Sequence, residues 1–173
     1  MPFDRAVVDA CAQGIPRGRW FALVGLPFSD EESRELATLA PRIERVRTWD
    51  EARVVADDAR ANAAYDADAA EVQALKERAC LAVSPSVLLT VMSAVVDCGL
   101  ETFFRTADAA ARRAGVADET TVRVAAGAVA EAVYRGALAA AVDAPAHRFA
   151  RIAALYETGR WPLARIGDTL HVF

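Results

Sequence analysis

Two histidines, three cysteines and scattered acids are the residues this chain offers for catalysis or metal binding. The histidines are His147 and His171, and the thiols are Cys11, Cys80 and Cys98. Acyl-transfer chemistry needs a histidine oriented by an acid and placed beside a nucleophile. Ser84, Ser86 and Ser93 stand in no nucleophile-elbow pattern. A dyad between one of the thiols and His147 would depend wholly on the fold. No glycine-rich phosphate loop of either common kind is present. No Glu-x-x-His pair occurs, so the di-iron carboxylate pattern is absent. An odd number of widely spaced cysteines reads as buried, reduced thiols rather than a disulfide framework or a zinc site. The expectation is therefore no catalytic residue that can be assigned, no metal and no cofactor.

The acids point the same way. Asp57-Asp58 and Asp66-x-Asp68 are adjacent or alternating positions, which do not converge on one ion when helical, so they read as a solvated face. Glu131 is the exception, because Val129-Ala130-Glu131-Ala132-Val133 is otherwise apolar. If buried, its carboxyl would carry a raised pKa and could act as an acid or base. Arg135 follows four residues later in the favourable Glu-before-Arg order, and Asp108 and Arg112 repeat the spacing. A surface ion pair is the simpler reading of Glu131.

The candidate contact surface lies near the C-terminus. Tyr156, Glu157, Arg160, Trp161 and His171 combine the residue types that interfaces favour. The competing reading is that Tyr156 and Trp161 dock a terminal element on the rest of the chain.

That element is a β-hairpin over 160–173. Gly167-Asp168 forms a two-residue turn between apolar runs. It would pair Ile166 with Thr169, Arg165 with Leu170, Ala164 with His171 and Leu163 with Val172. Alternation then puts Trp161, Leu163, Leu170 and Val172 on one face and Phe173 on the other. A lone hairpin is marginal in water, so it must lie on helices or pair through its edge. Gly159 is a natural stop for the preceding helix.

Everything before the hairpin reads as helical. Asp4 can cap a first helix to about Gln13. Residues 19–27 are ambiguous between helix and strand, and helix is preferred. Ser29–Glu32 and Thr48–Glu51 are capping boxes, and Pro41 breaks or kinks the helix that the first one opens. A long helical segment runs from Thr48 to about Val83, with a break near Tyr65-Asp66. Its alanines at 52, 56, 59, 63, 67, 70 and 74 form a small-residue stripe suited to close helix packing. Asp118 caps a second such helix, to about Val142, whose buried side carries Val122, Ala125, Ala126, Val129, Val133, Ala137 and Ala140. These two helices are expected to be long neighbours. Ser84-Pro85 opens an apolar helix, about 86–98, that is expected to be the most buried. It is too short to cross a membrane. Phe103 and Phe104 anchor a helix over about 101–114 that ends at Gly115. Pro145 opens a last helix with Phe149, Ile152, Leu155 and Tyr156.

The fold class is therefore all-α, a bundle of six or seven helices with a minor C-terminal hairpin, in a single domain over 1–173. Net charge is −4 and the pI about 5.2, which argues against generic nucleic-acid binding. Lys76 is the sole lysine beside many arginines, alanines and valines, a codon usage that points to a high-GC bacterial genome. The N-terminus has no signal-peptide pattern, so a cytoplasmic location is expected. The functional expectation is a non-enzymatic protein that binds another protein, similar in general character to toxin-neutralising immunity proteins. Two alternatives stand beside it: an enzyme or small-ligand-binding protein with a pocket between helices, and a structural subunit forming homo-oligomers.

Overall fold

Capping residues set the helix starts. In the computed structural model, which describes residues 19–62, 66–93, 100–113, 115, 118–142, 144 and 146–173, helix α1 spans Asp30–Leu36. The Ser29 hydroxyl accepts the Glu32 N–H, and the Glu32 carboxylate accepts the Ser29 N–H. The helix stops at Leu36, before Pro41 could kink it. Helix α2, Trp49–Ala61, is capped by Thr48, but Glu51 reaches one residue further back and accepts the Arg47 N–H at 2.8 Å. Helices α3 (Ala69–Ala82), α4 (Pro85–Ser93), α5 (Leu100–Arg113), α6 (Glu119–Ala141) and α7 (Arg148–Thr158) follow. Asp118 caps α6 through the N–H groups of Thr120 and Thr121. Gly159 ends α7 at φ 102°, with the Arg19 carbonyl 3.0 Å from where a Cβ would stand. The expected first helix from Asp4, the end of the apolar helix at Gly99, and Tyr65 and Pro145 lie outside the described residues.

The chain is mostly helical with a small sheet, as expected, but the sheet has three strands. Arg42–Arg45 forms β1, Pro162–Ile166 β2 and Thr169–Val172 β3. The order is β1-β3-β2, with β1 parallel and β2 antiparallel to β3. The β3 edge of the hairpin is thus covered by β1, and β2 is an outer strand of the sheet. Gly167 adopts φ 61° at the first turn position, as a primed turn requires. The three pairs nearest the turn form as expected, and then a bulge pairs Pro162, not Leu163, with Val172. That extra residue shifts the parity of everything beyond it. Trp161 therefore pairs with Phe173, exchanging backbone hydrogen bonds of 3.1 and 2.8 Å. It shares that residue's face instead of the face of Leu170 and Val172.

The sheet is covered on both sides. Leu170 and Val172 pack against Leu36, Leu39 and Leu155. Trp161 and Phe173 join the main core with Trp20, Val46, Ala52, Phe103 and Val129. Residues 19–27 are neither helix nor strand but a run of turns, bonded from Ala22 to Arg19, Val24 to Phe21 and Leu26 to Leu23. Phe21 takes φ 57°, costly for a side chain of its size, and its ring meets Trp20, Tyr156 and Trp161 edge-on.

Helix α6, not α4, is the central helix. It packs against α5, α7 and α3, whereas α2 lies on β2 rather than along α6. In α4, Leu88 is half-buried and Leu89 is 67% exposed, because apolar composition alone does not supply neighbours. The α6 span is also the one segment among the described residues long and apolar enough to cross a membrane. Its buried positions include Val122, Ala125, Ala126, Val129 and Ala137, while Val133 is half-buried and Ala140 exposed. Among the described residues, the alanine stripe is buried at Ala52 and Ala56 only. After the break, α3 turns Val72, Leu75 and Ala79 inward, leaving Ala70 and Ala74 in solvent.

These burials set a contrast. Phe103→Ala should cost about 3–5 kcal/mol, the range for truncating a core phenylalanine, whereas Leu89→Ser should change stability by less than about 0.5 kcal/mol. Urea melts of the two variants check both.

Candidate functional site

Asp66-x-Asp68 is not a solvated pair. Asp68 is 1% exposed, and its carboxylate collects three arginines from distant parts of the chain. Oδ2 accepts from Arg135 Nη1 at 2.8 Å; Oδ1 accepts from Arg148 Nη2 at 2.7 Å and Arg165 Nη1 at 2.5 Å. Arg135 comes from α6, Arg148 from the first turn of α7 and Arg165 from β2. Local chemistry makes this placement possible. Asp68 sits at the cap position of α3 but makes no side-chain capping bond there. Asp66 substitutes, accepting the Asp68 N–H through its carboxylate at 2.8 Å and the Ala69 N–H through its carbonyl at 3.0 Å. The Asp68 carboxylate is thereby released toward the arginines.

The network continues on both sides. Arg135 also reaches Asp66 and Glu131, and Arg148 also reaches Glu71. The Arg148 guanidinium bonded to Glu71 holds that carboxyl below its usual range. Both guanidinium groups lie over the Phe149 ring, at 5.4 and 4.8 Å from its centre. His147 is committed too: Nδ1 accepts the Phe149 N–H and Nε2 lies 2.9 Å from Glu71. It is not free to serve Cys80, which is exposed; Cys11 and Cys98 lie outside the described residues.

Glu131 is exposed and paired with Arg135, the simpler of its two readings. The expected contact cluster is mostly interior. Tyr156, Arg160 and Trp161 are each buried, at 1%, 2% and 1% exposure. Tyr156 donates its hydroxyl to the Pro162 carbonyl at 2.8 Å, and burial pushes its pKa well above the phenol range. Arg160 uses all five donors: Nε and Nη2 grip the two oxygens of Glu32, and Nη1 and Nη2 reach the carbonyls of Leu23, Leu26 and Pro27. These residues dock the hairpin and the 19–27 turns on the bundle. Glu157 stays exposed. His171 is half-buried, its pKa lowered by burial, with Nδ1 3.6 Å from Glu44.

Beside the Asp68 network lies a cleft of about 610 Å³. One wall is α2, with Ala56, Ala59 and Arg60; another is α6, with Val124, Gly127, Ala128 and Glu131. Strand β2 and the Phe149 and Ile152 side chains complete the lining, and Asp66, Asp68, Arg135 and Arg165 supply charge. Gly127 is notable. It lies inside a helix, and a Cβ there would meet nothing within 4 Å. Gly136 differs, since a Cβ there would come into ordinary contact with Ala153 and the α7 backbone. Sequence reasoning missed Asp68, Arg165 and Gly127 as site residues. Only Gly127 left a local signal, a glycine interrupting an alanine-rich helix with no cap to serve.

Comparison of the chain with protein-family models, curated proteins and solved structures finds no match.

Two consequences can be measured. Asp68→Asn leaves three guanidinium groups converging on a neutral amide, and should cost about 3–5 kcal/mol in urea unfolding. Glu32 is held at about 2, against an ordinary 4.5, chiefly by its hydrogen bond from Arg160. A depressed carboxyl stabilises the fold above its unfolded pKa and loses that contribution as pH falls through the folded value. The stability gap between wild type and Glu32→Gln should therefore be full above pH 4.5 and close as pH approaches 2.

Proposed function

We propose that this protein binds a small ligand in the cleft between α2, α6 and β2. The observation that carries the reading is the cleft itself, about 610 Å³, walled by a buried charge network. That volume lies within the range of small-molecule sites, roughly 300–1,000 Å³. The lining joins an apolar body to a set of charged groups, Arg60, Asp66, Asp68, Glu131, Arg135 and Arg165. Gly127 adds support. Alanine there would face open space and improve helix stability by about 0.4–1 kcal/mol, so the glycine is not explained by packing within the chain. Room for a bound molecule explains it.

Binding is favoured over catalysis because the charged groups beside the cleft already hold one another. Arg135 is held by Asp66, Asp68 and Glu131, Asp68 is held by three arginines, and neither histidine lines the cleft. The contact-surface reading loses its main residues to the interior, since Tyr156, Arg160 and Trp161 are buried.

The test uses a fragment library of small aromatic and aliphatic compounds and amide NMR spectra. Hits should shift the resonances of Gly127, Ala128 and Ala164. Gly127→Leu should remove those shifts while the protein stays folded, and Gly127→Ala should weaken binding while raising the melting temperature. A library that moves no cleft resonance, or hits that survive Gly127→Leu, would overturn the proposal.

A further inference from the structure

Among the described arginines of the network, Arg165 alone has a solvent-shielded donor without a hydrogen-bond partner. Its Nη1 donates to Asp68, while Nε is shielded from solvent and has no hydrogen-bond partner. Nη2 makes no hydrogen bond among the described residues either. Nε and Nη2 form one edge of the guanidinium, the edge that receives a carboxylate through two parallel N–H···O bonds. Arg160 shows that geometry completed in the same molecule, with Nε 2.8 Å and Nη2 3.0 Å from the two oxygens of Glu32. At Arg165 the same edge meets no acid among the described residues. An unpaired buried donor is costly, and Arg165 lines the cleft with 15% of its side chain exposed.

We infer that the cleft takes a monocarboxylate with an apolar body, its carboxylate held by the Nε–Nη2 edge of Arg165. This rests on the ligand-binding reading above and adds the chemistry of the ligand. The charge balance of the lining disfavours a ligand with more than one negative charge. Arg60, Arg135 and Arg165 face Asp66, Asp68 and Glu131 across the lining, so a dianion such as a phosphate ester meets carboxylates without a matching surplus of cations. The remaining lining selects the body. Val124, Phe149, Ile152 and Leu163 suit an aryl or short acyl group. Nη1 holds Asp68 and Nε is shielded, so a ligand carboxylate reaches this edge only when the guanidinium turns about its Nη1 bond.

The experiment titrates the full chain with phenylacetate, hexanoate, phenylacetamide, hexanamide and phenyl phosphate, read by amide NMR at Gly127 and Ala164. Each acid should bind at least tenfold more tightly than its amide. Arg165→Lys, which keeps a cation beside Asp68 but has no fork, should bring acid and amide within about twofold. Gly127→Leu should abolish binding of both. Acid and amide of equal affinity, both lost in Gly127→Leu, would overturn the carboxylate assignment and leave the cleft a binding site. Phenyl phosphate binding more tightly than phenylacetate would also overturn it. Binding of none of the five would overturn both the assignment and the reading beneath it.

Discussion

One buried carboxylate holds the architecture together. Asp68 is almost free of solvent, and its carboxylate makes no capping bond to its own helix. Taking a charge out of water costs several kcal/mol unless other charges and hydrogen bonds compensate. Here the compensation comes from α6, α7 and β2 at once. The start of α3 is thereby fixed against the long central helix, the last helix and the hairpin. Hydrophobic contacts can slide with little penalty, but a desolvated ion network has a narrow set of satisfied geometries. It sets where these elements sit, while the apolar clusters supply most of the favourable free energy.

The cleft follows from that constraint. Arg165 must reach Asp68, so β2 cannot close fully against α2 and α6 at that end. The small side chains of Ala56, Ala59, Gly127 and Ala128 do not fill the remaining space. At the other end the bulge at Leu163 turns Trp161 toward Phe173 and Trp49, whose rings lie 5.7 and 5.6 Å from its own. One end of the sheet is therefore a dry aromatic core and the other a polar recess. Arg160 sits at the start of the hairpin and binds the 19–27 turns through three carbonyls, so that irregular segment gains its shape from a side chain rather than from a ladder.

Features encoded within a few residues were legible in the sequence. Ser29 with Glu32, Asp118, Gly159 and Gly167-Asp168 each act through neighbours in the chain, and each does what its chemistry dictates. Features set by distant partners were not. Arg42-Ile43-Glu44-Arg45 is short and mostly charged, and only the arrival of Thr169–Val172 makes it a strand. The run after Pro85 looks like a core because it is apolar, yet Leu89 faces solvent, since burial depends on what surrounds a helix. Asp68 looks like a surface acid because its arginines lie far along the chain. The aromatic and basic residues before the hairpin fit docking and contact equally well by type; only their burial separates the two.

The sheet order has a consequence for how the molecule is made. β3 is the middle strand, yet in chain order it follows every described helix and both strands it must join, and so is synthesised after them. Until then β1 has no partner, Leu36 and Leu39 lack the Leu170 and Val172 that cover them, and Asp68 lacks Arg165. Parallel pairing between strands so far apart pays its loop-closure entropy before any contact repays it. The helices can form as they are synthesised, but the ion network and the sheet can only complete together and late. Most of the chain must therefore wait in a helical, incompletely packed state that exposes apolar surface. Such a state favours slow folding and, at high concentration, self-association before the native protein is reached.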